Sequence, residues 1–112
     1  MLPIEFSSLR YILESGEIRV VLSGVILYFD DYGNAITNIR REDAPESFWQ
    51  NVHIRMKNKN RGPMKSNYEG NKKQPVALFN SFSFLEIAWP CGSAQKKMGL
   101  KAGDPVTVKA GT

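Results

Sequence analysis

The sequence predicts an all-β domain, a small antiparallel barrel of six or seven strands with one or two short helices. Segments dense in Val, Ile, Phe and Tyr recur along the chain, as a half-buried pleated surface requires. Turn residues separate them, notably Asp30-Asp31-Tyr32-Gly33-Asn34 and Lys101-Ala102-Gly103-Asp104, and no alternation of strand and helix points to a parallel sheet. Short strands leave bare edges unless the sheet closes, so a barrel is the natural architecture.

Residues 1 to 17 read as an N-terminal extension, and residues 18 to 112 as a single domain. Within the extension, Ser8 to Ser15 fits a short helix, with Ser8 as N-cap and Gly16 just past its end. Residues 17 to 29 read as a strand in which Gly24 marks a bulge or bend. The turn at 30 to 34 leads into a return strand, Ala35 to Ile39. Glu42 to Trp49 suits one or two helical turns, with Pro45 tolerated in the first turn.

Val52, Ile54 and Met56 alternate with His53 and Arg55, a strand pattern. Pro75 to Ala88 reads as one long strand or two short ones. Ser93 can cap a helix over Ala94 to Met98 that Gly99 ends, and Val106 and Val108 belong to a last strand.

With 112 residues, 42% apolar and 23% charged, the chain has the makings of one folded core rather than a disordered segment. The longest apolar run, Val25 to Phe29, falls far short of a membrane-spanning helix. The first residues lack the basic and apolar regions of a signal peptide, so the expected location is the cytoplasm. The single cysteine, Cys91, suits a reducing compartment, and one cysteine with one histidine makes no zinc ligand set.

The net charge of +4 concentrates in residues 55 to 73, where Arg55, Lys57, Lys59, Arg61, Lys65, Lys72 and Lys73 face only Glu69. This stretch reads as a solvated basic loop, or as a contact for phosphate or an acidic partner.

None of the common nucleophile, phosphate-loop or metalloprotease motifs is present. His53 sits among apolar neighbours on a strand and reads as structural. Two segments carry more polar chemistry than a fold requires. In Tyr28 to Ile39 a turn bears an aromatic ring, carboxylates and two amides. Asn34 can hold the turn backbone, or present a donor and an acceptor to a purine edge while Tyr32 stacks on its face. In Phe79 to Ala88, strand parity puts Asn80, Phe82, Phe84 and Glu86 on one face. A carboxylate there needs solvent, a basic neighbour or a bound ammonium group.

The strings VILYFDDYGNAITNI (25 to 39) and VALFNSFSFLEIAWPCGSA (76 to 94), with the ending MGLKAGDPVTV, resemble the C-terminal domain of the S-adenosylmethionine hydroxide adenosyltransferases, relatives of the fluorinase and chlorinase. The resemblance spans residues 24 to 108. It implies a small β-barrel that follows a catalytic N-terminal domain in a homotrimer, with S-adenosylmethionine bound between subunits as substrate and no separate cofactor. The implied reaction is attack of water or hydroxide on the ribose C5′, releasing methionine and adenosine. The catalytic groups would lie in the N-terminal domain, so this chain alone is expected to be inactive.

Position by position, the resemblance implies that Tyr32 stacks on adenine and Asn34 bonds its edge. Asp30, Ser81 and Glu86 would hold the methionine's charged ends, with Phe82 lining the same pocket. Groups around Trp89 and Cys91 would complete the adenine contact. Ser83 stands where the family more often has Gly, and Pro90-Cys91 replace a more polar pair. Two alternatives use the same residues: a free-standing module for adenosine-like ligands or single-stranded nucleic acid, in which the basic stretch tracks phosphates and Tyr32, Phe82 and Trp89 stack bases, and a structural or oligomerisation domain.

Overall fold

The computed structural model describes residues 7–56, 59–63 and 75–110, the segment 59–63 by its backbone. Eight antiparallel strands form one sheet: β1 (Ser8–Glu14), β2 (Glu17–Phe29), β3 (Ala35–Arg40), β4 (Val52–Met56), β5 (Lys59–Pro63), β6 (Val76–Phe79), β7 (Phe84–Ala88) and β8 (Pro105–Ala110). The one α-helix among the described residues is α1 (Ala94–Met98), and 3₁₀ turns at Arg41–Asp43 and Glu46–Gln50 flank Pro45. The all-β class is as the sequence predicts. The sheet runs β5-β4-β8-β2-β3-β7-β6 with β1 on β2, and curls as a half-barrel in which, among the described residues, β5 and β6 end the order without pairing to each other.

The eighth strand replaces the helix expected at residues 8 to 15. β1 pairs residue for residue with β2, from Ser8↔Ser23 to Glu14↔Glu17. Ser15 (φ 52) and Gly16 (φ 80) both take positive φ, as a two-residue hairpin turn demands. The residues that suggest a helix stop also suit that turn. A helix of seven or eight residues without tertiary packing is marginal in water, whereas the hairpin gains a complete ladder.

The basic stretch is likewise not all loop: Lys59–Pro63 pairs with β4. Arg55 lies on β4, and residues 57–58 and 64–73 lie outside the described residues.

Of the two readings of residues 75 to 88, the structure takes the two short strands, β6 and β7. Asn80 Oδ1 accepts from the backbone N–H groups of Phe82 (2.9 Å) and Phe84 (3.0 Å), and Ser83 takes φ 67. The chain therefore turns at 80 to 83, and strand parity does not extend across it. Ser83 holds a left-handed conformation that glycine adopts without strain. The local expectations for β4 and α1 hold. Val52, Ile54 and Met56 are buried on β4. Ser93 Oγ accepts from Lys96 N, and Gly99 (φ 63) ends α1.

Leu22, Ile26, Ile39, Leu85, Val106 and Val108 are at most 1% exposed and fill the concave side of the sheet. Each such side chain contributes about 1.5–3 kcal/mol through burial. Trp49 closes one end, edge-on to Phe48 (5.0 Å) and Phe79 (4.8 Å), with its Nε1 donating to Arg41 O at 2.8 Å.

Gly24 is not a bulge. β2 pairs regularly with β8 through Ser23↔Thr107 and Gly24↔Val106. The irregularity against β3 lies between Ile26 and Tyr28. Gly24 instead leaves room for Asn38, 2% exposed, whose Oδ1 accepts from Val25 N at 2.8 Å. Beside it, buried Thr37 Oγ1 donates to Leu85 O at 2.9 Å and so ties β3 to β7. These polar groups hold in place the strands from which the candidate site is built.

Candidate functional site

The site grows from the turn between β2 and β3. The Asp30 carboxylate accepts three N–H groups: Oδ1 takes Tyr32 N at 2.9 Å and Asn34 N at 3.0 Å, and Oδ2 takes Asn34 Nδ2 at 3.0 Å. Gly33 N donates to Asp30 O and Asp30 N to Asn34 O, closing the turn from both sides. Asp30 and the Asn34 amide nitrogen are thus spent on the turn itself. The Asn34 Oδ1 takes no part in these bonds to Asp30. The Tyr32 ring stands 79% exposed on this rigid support.

A second turn abuts the first. Trp89 bridges to Gly92 and Cys91 takes φ 58, which leads the chain into Ser93 and α1. Gln95 N donates to Gly33 O at 2.9 Å, and a Cβ on Gly33 would lie 2.0 Å from Ser93 Oγ. The Asp30 turn is therefore seated on the first turn of α1. This contact brings Tyr32, Asn34, Trp89 and Cys91 to one end of the sheet.

β7 carries Glu86 to the same end. Opposite residues on neighbouring strands share a face, and the pairs Tyr28↔Ile36, Ile36↔Glu86 and Leu78↔Glu86 make one row across four strands on the outer side. Glu86 is half-buried there. Burial, with repulsion from the Asp30 carboxylate, holds its acid group above the usual carboxylate range.

A raised native pKa means that protonation favours the folded state. The stability linked to Glu86 is present below the unfolded carboxylate pKa and is lost as pH rises through the folded value. Glu86→Gln is accordingly expected to flatten the dependence of Tm on pH in the acidic range from the unfolded carboxylate pKa upward, and to leave Tm at neutral pH equal or higher. Thermal melts of both proteins across that range check it; a lower Tm for the variant at neutral pH would oppose it.

Ser81 and Phe82 are not part of this cluster. They sit in the 80 to 83 turn, where Arg41 N donates to Ser83 O and Arg40 pairs with Phe84. That is the far end of the β3–β7 ladder from Ala35↔Ile87, roughly 10 Å or more along the strands. Phe82 is 79% exposed there. The two sequence segments thus meet through β3, β7 and Glu86, with the Asn80-Ser81-Phe82 turn at the distant end.

Sequence reasoning missed Tyr28, 54% exposed on the face of Glu86. The signal was available: Tyr28 lies two residues before Asp30 in an alternating strand. Among the described residues no group of three or more His, Cys, Asp or Glu side chains is placed to hold a metal ion. No helix among them is long and apolar enough to cross a membrane.

The fold and the paired turns define a β half-barrel with two polar turns packed together at one end. Residues 24–107 match the family model of the SAM hydroxide adenosyltransferase C-terminal domain, and the chain belongs to that family. It is similar to the (R)-S-adenosyl-L-methionine hydrolase of Thermus thermophilus, 39% identical over 84 residues that cover 74% of this chain and 30% of the relative. The enzyme of the same name from Methanocaldococcus jannaschii is 25% identical over 89 residues, 74% of this chain and 34% of that protein.

Two solved structures share the fold. A conserved hypothetical protein from Thermus thermophilus aligns with TM-score 0.61 and 35% identity over 77% of this chain and 32% of its own. An uncharacterized conserved protein from Thermotoga maritima gives TM-score 0.63 and 25% identity over 78% of this chain and 35% of its own. The chain spans about a third of the length of these relatives.

Proposed function

We propose that this chain forms the adenosyl-facing wall of an S-adenosylmethionine-hydrolysing assembly, with the chemistry supplied by an N-terminal domain of the kind its longer relatives have room for. The observation that carries the reading is the seating of the Asp30–Asn34 turn on α1 beside Glu86. It sets an exposed aromatic ring, an amide oxygen and a half-buried carboxylate on one rigid edge.

In this reading Tyr32 stacks on adenine and Asn34 Oδ1 accepts from its exocyclic amine. Glu86 receives the methionine ammonium, which relieves the repulsion from Asp30. Trp89 and the backbone near Cys91 bound the adenine edge. Asp30 works through the turn, by fixing Tyr32 and Asn34. Ser81 and Phe82 contribute only where a partner subunit or domain reaches around the sheet. The assembly would carry water to the ribose C5′: the C5′–S bond breaks, its electron pair stays on sulfur to give methionine, and water loses a proton to give adenosine.

Calorimetric titration of the chain with adenosine and with S-adenosylmethionine tests the pocket. Weak, roughly millimolar binding is expected, because half of the cavity wall is elsewhere. Asn34→Ala or Tyr32→Ala should weaken it about tenfold. No heat from the parent chain at several millimolar ligand, or unchanged affinity in both variants, would remove the proposed wall.

A further inference from the structure

The family match begins at residue 24, so β1 and the first half of β2 precede the matched segment and take no part in the site above. This hairpin carries all the exposed large aliphatic side chains among the described residues, and an exposed tyrosine beside them. Leu13 is 76% exposed, Ile18 74% and Tyr11 71%, with Leu9 at 41%. The register Leu9↔Leu22, Tyr11↔Val20, Leu13↔Ile18 places all of them on one face. That face continues the core, because Leu22 is opposite Val108 and both are fully buried. The ladder is therefore buried at its base and bare at its tip. The outer edge of β1 pairs with no other strand among the described residues.

An unpaired edge beside an apolar face is a template for strand addition. We propose that a second copy of this chain occupies it, with β1 pairing antiparallel to the partner's β1 about a two-fold axis at Ile12. The sequence of β1, Ser-Leu-Arg-Tyr-Ile-Leu-Glu, selects this register. Opposite residues share a face, so registers that pair odd with even positions would set the apolar side of one hairpin against the charged side of the other. Of the registers that keep the faces together, centring on Tyr11 puts Arg10 opposite Ile12 and Ser8 opposite Glu14, which makes no ion pair.

Centring on Ile12 puts Arg10 opposite the partner's Glu14 and Tyr11 opposite the partner's Leu13, each twice by symmetry. Glu14 is already fixed on that face by Lys109, whose Nζ donates at 2.6 Å. Antiparallel pairing also carries the tip of each hairpin alongside the base of the other, so Leu13 and Tyr11 of the two copies cover each other. An isologous contact of this kind is self-complementary and closes on itself. A contact limited to two hairpins falls at the small end of specific interfaces, and a dissociation constant of about 10–100 µM is expected.

Sedimentation velocity of the full chain from about 5 µM to 1 mM tests this, the span bracketing that constant. The expected result is a monomer–dimer equilibrium. Arg10→Glu sets like charges opposite and should weaken it about tenfold or more, as should Glu14→Arg. An equimolar mixture of the two variants, and the double variant Arg10→Glu/Glu14→Arg, should recover association, because both restore opposite charges in this register. Were Glu14 needed only for Lys109, neither recovery would occur.

Opposed positions in an antiparallel pair lie within disulfide reach, so Ile12→Cys with Cys91→Ser should give a reducible dimer on mild oxidation. A monomer throughout the range, a dimer indifferent to Arg10→Glu, or failure of the mixture and the double variant to recover would each overturn the proposal. So would a monomer that instead binds phosphatidylcholine vesicles through the Tyr11–Leu13 face.

Discussion

Gly24→Ala is expected to lower the unfolding free energy by about 2–4 kcal/mol, through one added methyl group. A Cβ at this position meets Asn38 Oδ1 at 2.3 Å and Ile39 Cγ1 at 2.6 Å. Neither neighbour has anywhere to go: Asn38 is 2% exposed and Ile39 fully buried. Overpacking alone costs about 1–3 kcal/mol. If Asn38 moves aside, the N–H of Val25 loses its 2.8 Å acceptor, and a buried donor left unsatisfied costs about 1–3 kcal/mol more.

The two terms are alternatives in part, since a shift that relieves the clash is the shift that breaks the bond, and the range reflects that. Asn38→Ala in the Gly24→Ala background should be less destabilising than the two single changes added, because both act through one contact. Urea unfolding of the four proteins measures this. A loss below about 1 kcal/mol for Gly24→Ala would mean that the Asn38 side chain does not fill the space against β2.

That contact spans fourteen residues of sequence, which is why glycine at 24 reads locally as a bulge. The same limit separates what could be read from the chain from what could not. Period-2 burial at Val52, Ile54 and Met56, the Ser93 cap and the Asp30-to-Asn34 turn are decided within a few residues, and the fold follows them. β1 was not legible, because Leu9, Ile12 and Leu13 satisfy a helical spacing while Leu9, Tyr11 and Leu13 satisfy a strand. Only pairing to β2 decides between them. Nor was the turn at Ser83, where a positive φ rests on a residue that seldom adopts one.

The candidate site divides in the same way. Tyr32, Asn34 and Glu86 were legible as chemistry, and the structure sets them on one edge. Phe82 was set on the face of Glu86 by a parity that the Asn80 turn interrupts, and Ser81 was assigned through the resemblance alone. The structural duty of Asp30 toward Asn34 Nδ2 is invisible in composition, since either residue alone satisfies a turn.

Gly33→Ala should cost about 2–4 kcal/mol and should also loosen the site. The backbone φ at Gly33 is 83°, where an alanine is strained by about 1 kcal/mol or more. The added Cβ would lie 2.0 Å from Ser93 Oγ and 2.7 Å from Ser93 Cβ. Gly16 isolates the first cause, because its φ is 80° and nothing lies within 4 Å of its Cβ position. The excess loss of Gly33→Ala over Gly16→Ala therefore reports the approach to α1. Ser93→Gly removes the obstructing atoms and, as glycine at an N-cap, costs only a few tenths of a kcal/mol. The pair Gly33→Ala/Ser93→Gly should accordingly recover much of that excess. If the Asp30 turn positions Tyr32 and Asn34 for a nucleoside, adenosine affinity must follow the same order: unaffected by Gly16→Ala, weakened by Gly33→Ala, partly restored in the pair. Equal stability losses for Gly16→Ala and Gly33→Ala would show that the turn does not bear on α1, and the rigid edge on which the ligand reading depends would be absent.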